Sequence, residues 1–74
     1  MAVHTDGVHL VADSEEELHA FAKKVGLKEK RYYGKPKYSR HYIITTTRMH
    51  IKVIEAGALL TSKSGTAEIA RRME

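Results

Sequence analysis

Apolar residues at Leu18, Phe21, Ala22 and Val25 follow the i, i+3, i+4, i+7 spacing of one helical face. Ser14 with Glu17 has the spacing of a capping box, Lys23 and Lys24 suit the last turn of a helix dipole, and Gly26 stands where a left-handed C-terminal residue belongs. A helix over 14–25 is therefore predicted. The short, mostly apolar run from Val8 to Ala12 predicts a buried strand before it. His41 to Thr45 predicts a second strand. From Thr46 to Ala56, Met49, Val53 and Ala56 share one side of a wheel with Ile54 and Ile51 further round, against a narrow polar side of Arg48, Lys52 and Glu55. That pattern predicts a helix capped by one of Thr45, Thr46 or Thr47 and ended by Gly57. Ala58 to Thr61 predicts a third short strand. Thr66 to Met73 predicts a final helix held by Ile69, Ala70 and Met73. Residues 27–38, with Gly34 and the sole proline Pro36, read as a basic loop that admits a short strand around Arg31–Tyr33.

Strand and helix thus alternate, which predicts an α/β domain over residues 1–74. Its sheet would be a single layer of about three short strands, partly parallel, alternating with three helices. In such sheets ligands bind at the carboxyl ends of strands. That end would gather Asp13 and Ser14, Thr45 to Thr47, and Thr61 to Thr66.

Composition narrows the setting. A chain of 74 residues makes one small domain with roughly 3–5 kcal/mol of margin, so self-association into a homo-oligomer is expected. It has no cysteine, hence no disulfide or thiolate ligand, and no apolar run long enough to cross a bilayer. The N-terminal residues lack the basic and apolar regions of a signal peptide, so a cytoplasmic protein without a membrane partner is expected. The net charge of +4 is unevenly spread: residues 13–17 are acidic, while residues 23–40 carry eight lysines and arginines against Glu29. Tyr32, Tyr33 and Tyr38 interleave with those cations. Such a run is commonly a solvated surface, but cations beside aromatics also suit a ligand with phosphate and a base.

The candidate chemistry sits in two segments, His9 to His19 and Arg40-His41-Tyr42. His9, Asp13, Glu17, His19 and His41 are residue types that coordinate metals or exchange protons. No His-x-x-x-His or His-x-His spacing supports a metal, and Asp13 and Glu17 are read first as capping residues. Thr61 to Thr66, a Ser- and Gly-containing turn with Lys63, and Thr45 to Thr47 with Arg48 both stand at predicted helix starts that suit an anion. An ordinary capped turn explains the first slightly better, and in the second one threonine is a cap while three followed by Arg48 only mildly suggest a phosphate site. His50, inside an apolar arc, is read as a core or subunit contact. No serine or cysteine nucleophile has a recognisable local signature.

The run His9-Leu10-x-Ala12-Asp13-Ser14-x-x-Glu17-Leu18-His19-x-Phe21-Ala22, then Gly26-Leu27, His41-Tyr42 and Gly57-Ala58, resembles a bacterial and phage family catalogued as domain of unknown function 4031. The likeness spans about residues 3–60. Tyr32-Tyr33 stands where family members often carry tryptophan-phenylalanine. Only Thr5-Asp6-Gly7 remains of a longer Asp-rich opening. Ile43 replaces the acid that commonly follows His-Tyr, which counts against a carboxylate-metal catalyst. The resemblance implies a compact phage or bacterial domain whose polar motif serves something besides folding. By analogy, it suggests sequestration of a host defence signal.

The expected function is non-enzymatic binding of a small phosphate-containing ligand, a nucleotide or nucleotide-derived signal, with no cofactor. Arg48, Lys63, Ser64 and Thr66 would hold phosphates, with Thr47 beside them. Tyr32 or Tyr33 would stack on a base, with Arg31 adding charge. His9, Asp13, His19, His41 and Tyr42 would contact polar groups. Loss of binding on Arg48→Ala and Tyr33→Ala follows from this reading. The first alternative is a small metal-dependent or histidine-dependent hydrolase, such as a phosphodiesterase, using His9, Asp13, His19 and His41. A nucleic-acid binder using residues 23–40 ranks behind both, given the acidic helix start and the lack of a recognition helix. A protein-interaction module is the last.

Overall fold

The computed structural model describes residues 2–34 and 40–72. Residues 35–39 of the expected basic loop, Tyr38 among them, and Met73 of the expected last helix lie outside this range. The elements are β1 (Val3–Thr5), β2 (His9–Ala12), α1 (Glu15–Val25), a 3₁₀ turn (Glu29–Arg31), β3 (Tyr32–Tyr33), β4 (His41–Ile43), α2 (Thr47–Glu55), β5 (Leu59–Leu60) and α3 (Lys63–Arg72).

The α/β class is as expected, but the sheet has five strands in the order β3-β4-β2-β1-β5. β1 was not expected. It folds back on β2 through the hairpin Asp6-Gly7-Val8, pairing Val3 with Ala12 and Thr5 with Leu10. Among the described residues only β1 and β5 pair in parallel; β2 is antiparallel to both β1 and β4. The expected gathering at one carboxyl end is therefore corrected. Asp13 and Ser14 leave β2 at one end of the sheet. Asp6, His9, Thr45–Thr47 and Thr61–Thr66 collect at the other.

Side chains alternate along β2. Leu10 and Ala12 face α1 and α2, where they join Leu18, Ala22, Val25, Tyr42, Ile44 and Val53 in the core. His9 and Val11 face the opposite way, toward α3, where Val11 and Ala70 are buried. The same alternation puts Tyr42 and Tyr32, paired across β3 and β4, on the α1 side, and His41 and Tyr33 on the α3 side.

Helix α1 forms as its spacing predicts. The Ser14 hydroxyl accepts from Glu17 N–H at 3.2 Å and donates to the Glu17 carboxylate at 3.3 Å. Gly26 closes the helix in the left-handed region, φ 83°. Removing the cap in Ser14→Ala is expected to cost about 1 kcal/mol in urea unfolding; an unchanged midpoint would show the cap contributes nothing. Thr46 caps α2, accepting from Met49 N–H at 3.1 Å. Helix α3 starts at Lys63, three residues earlier than expected, because Ser62 takes the cap position and accepts from Gly65 N–H at 3.1 Å. Edge strand β5 leaves Leu59 and Leu60 exposed.

Candidate functional site

The site begins with the β1–β2 hairpin. Gly7 adopts φ 101°, a conformation that disfavours any side chain, and this lets the chain turn back over Asp6. The Asp6 carboxylate then accepts from Val8 N–H and His9 N–H, both at 2.8 Å, and from the Thr66 hydroxyl of α3 at 2.9 Å. His9 Nδ1 lies 3.0 Å from its second oxygen. The Asp6 side chain is only 6% exposed. Burial alone would raise its pKa, but the backbone N–H groups of His9 and Val8, the His9 ring and the Thr66 hydroxyl together hold it well below the ordinary carboxylate range. An ionised carboxylate only accepts, so Nδ1 of His9 carries the donated proton and Nε2 is the nitrogen left for other chemistry.

His9 forms one wall of a cavity of about 290 Å³, lined also by Val11, His41, Lys63, Thr66, Ala67 and Ala70. The His9 and His41 rings meet edge to face, centroids 5.3 Å apart at 66°. Tyr33 stacks nearly parallel on His41 at 5.6 Å. Lys63 and His9 also border a neighbouring hollow of about 270 Å³ with Asp6, Val8, Thr61 and Ser62. The result is an apolar floor from β2 and α3, with two imidazoles and one ammonium around it. The volume is at the small end of ligand cavities, which run from about 300 Å³.

The other sequence-predicted residues are distributed elsewhere. His19 is on the α1 side of the sheet, its Nδ1 2.7 Å from the Tyr42 hydroxyl and its Nε2 3.4 Å from Glu15. Glu15 also pairs with Arg40 at 2.7 Å. Tyr32 tilts against His19 at 4.6 Å and against Tyr42 at 5.2 Å. Burial and the nearby Glu29, Tyr32 and Glu15 raise the Tyr42 pKa, so its hydroxyl stays protonated at neutral pH. His19, Tyr42, Lys23, Leu27 and Glu29 line a separate hollow of about 400 Å³. Asp13, at the far end of β2, accepts from Ala2 N–H at 3.2 Å and lies 3.9 Å from His4. It thereby ties down β1; the cap itself is Ser14.

Arg31 borders a hollow with Lys28, Lys30, Thr45, Thr46 and Met49, away from the His9 cavity. Thr47 lines another with Gly7, Ile44, Thr45, Thr46 and His50. His50 is half-buried there, and its Nδ1 is the one buried side-chain polar atom without a hydrogen bond among the described residues. Arg48 stands exposed on α2 and does not line the His9 cavity. Ser64 is exposed and bonds to Ser62. Thr66 is 2% exposed and bound to Asp6, so it fastens α3 to the hairpin.

Asp6 and the floor residues Val11, Ala67 and Ala70 are the site members that sequence reading missed. Asp6-Gly7 is a hairpin signal, and Asp6 is three residues before His9, so the cue for both the turn and the pair was present. Among the described residues no group of three or more His, Asp or Glu is placed to hold a metal ion. No helix among them is long and apolar enough to cross a membrane.

An Asp-oriented imidazole, a second imidazole and a lysine thus line one small cavity on the α3 side of a mixed sheet. Over residues 2–73 the chain matches the family described as protein of unknown function DUF4031, and it belongs to that family. No curated protein and no solved structure matches it.

Proposed function

We propose that the cavity between β2, β4 and α3 binds a small phosphate-bearing ligand, a nucleotide or nucleotide-derived signal. The observation that carries this reading is the convergence of His9, His41 and Lys63 on one cavity, with His9 held in place by Asp6. Imidazole and ammonium N–H groups make charge-assisted bonds to phosphate oxygens, the strongest class available to a neutral-pH site. The apolar floor, with the Tyr33 ring stacked on His41 beside it, offers surface that a base or sugar can cover. Electrostatics favour this side of the sheet over the other. The His19 hollow is bordered by Glu29, and Glu15 stands beside His19, so both repel a phosphate. The buried Asp6 charge is already met by four donors.

Thermal unfolding against mono-, di- and cyclic nucleotides tests the reading. A ligand at 100 times its Kd stabilises the native state by about 2.7 kcal/mol. In a domain this small that is expected to raise the midpoint by ten degrees or more. Lys63→Ala is expected to weaken binding at least tenfold, while Arg48→Ala leaves it unchanged. A midpoint indifferent to every nucleotide, or a shift that survives Lys63→Ala, contradicts the proposal.

A further inference from the structure

We infer that β5 and the outer flank of α2 form a two-fold interface with a second copy of this chain. Ile51, Ile54, Leu59 and Leu60 are 51, 38, 55 and 69% exposed, four of the six large apolar residues that stand out from the described surface. The fold sets three of them on one face. Thr5 pairs with Leu10 across β1 and β2 and with Leu60 across β1 and β5, and directly opposed residues point to the same side of a sheet. Leu60 therefore shares the α1 and α2 side with Leu10. On α2, the Lys52 ammonium lies beside Gly26 at the end of α1, Val53 is in the core, and His50 stands beside Gly7 of the β1–β2 hairpin. At about 100° per residue, Ile54 follows His50 round the helix away from α1, and Ile51 follows Ile54. That flank is turned toward the sheet edge that β5 forms.

Two features select a second copy as the occupant. The first is the backbone. β5 is the last strand of the sheet, and among the described residues it pairs with β1 alone. The Thr61 N–H donates to the Thr5 carbonyl at 2.8 Å, so Leu60, one residue back, turns its own N–H and carbonyl to the open edge. Open edges accept another strand unless charge or proline blunts them. Ala58-Leu59-Leu60-Thr61 has neither, whereas β3 at the opposite edge follows directly on Lys30 and Arg31. A dyad at Leu60 lets the two copies exchange both backbone bonds as one antiparallel pair, and it lays the two α2 helices antiparallel on one face of the joined sheet. The second feature is charge. Arg48 and Glu55 are exposed and stand seven residues apart, two turns, on one side of α2 next to Ile51. Between antiparallel helices Arg48 of each copy meets Glu55 of the other, so the stripe is complementary to its own inverted copy; a parallel neighbour would set like charges together. A helix of nine residues is about 14 Å long, so the interface belongs to the small class that buries less than about 1,200 Å², with a dissociation constant on the order of tens of micromolar. The His9 cavity is on the other side of the sheet, and each copy keeps its own.

Sedimentation equilibrium of the whole chain, from about 1 μM to about 1 mM, tests the inference. The expected result is a mass that rises from one chain to two and no further. Ile51→Glu and Leu60→Glu change exposed positions, and native circular dichroism checks that both variants fold. Each is expected to weaken association by about tenfold or more. Arg48→Glu and Glu55→Arg are each expected to weaken it as well, because like charges then meet twice across the dyad. The double variant Arg48→Glu/Glu55→Arg is expected to recover association to within about threefold of wild type, a rescue that damage to the fold would not give. A mass of one chain at every concentration overturns the inference and leaves this face to a partner of different sequence. Dimers indifferent to Ile51→Glu and Leu60→Glu place self-association elsewhere and overturn it too. A double variant no better than its two single variants overturns the antiparallel arrangement of the helices, and with it the interface.

Discussion

Replacing Asp6 by alanine is expected to destabilise the fold by about 2–4 kcal/mol and to abolish binding at the His9 cavity. The reason is the number of partners left behind. Two backbone N–H groups, one hydroxyl and one imidazole converge on this carboxylate, and its side chain is almost fully buried. Without it the hairpin loses its internal acceptor, α3 loses its tie through Thr66, and His9 loses the group that fixes its tautomer. Asp6→Asn keeps the volume but turns one acceptor into a donor, so it is expected to fall between wild type and Asp6→Ala. The carboxylate also gives the effect a pH signature. Its folded pKa lies below the ordinary value of about 3.9, so its contribution is fully present above roughly pH 5 and is lost as pH falls toward the folded value. Urea unfolding at pH 7 and at pH 3 should show a large loss for wild type and a smaller one for Asp6→Asn. Equal losses in the two proteins would mean that Asp6 is not the low-pKa group.

The second large effect is expected at Leu10→Ala, which should cost about 2–5 kcal/mol, most or all of the margin of so small a domain. Leu10 is fully buried, on β2 between strands β1 and β4, opposite both Thr5 and Tyr42. Truncation opens a cavity under α1 that the sheet cannot close without moving three strands. One residue earlier on the same strand, His9→Ala should cost less than Leu10→Ala, since His9 faces a hollow that already exists. Urea unfolding followed by circular dichroism compares the two. A loss under about 1 kcal/mol for Leu10→Ala would contradict the placement of the core.

The helices were legible because each carries several agreeing local signals. Leu18, Ala22 and Val25 mark the buried face of α1, Ser14 and Gly26 mark its ends, and the structure uses every one of them. Strand β1 was not legible: three residues with a histidine in the middle have no periodicity, and its partner is fixed by the Asp6-Gly7 turn rather than by its own side chains. Alternating strands and helices predict a partly parallel sheet, and the parallel pair is β1 with β5, one member of which is the strand the sequence does not announce. Half of the candidate site followed from sequence. His9, His41, Tyr33 and Lys63 were singled out, and the fold brings them to one side. The separation of His19, Tyr32 and Tyr42 from them follows from the two-residue period of strands. One step along β4 from His41 carries Tyr42 through the sheet, where its hydroxyl meets His19 of α1. Spacing along the chain does not carry that information until the register is known.

The most direct test of the account is the nitrogen NMR spectrum of the five imidazoles as a mononucleotide is added. His9 and His41 are expected to shift together and saturably, with His9 protonated on Nδ1 throughout and His19 staying in place. Shifts confined to His19, or none at any ring, would contradict it.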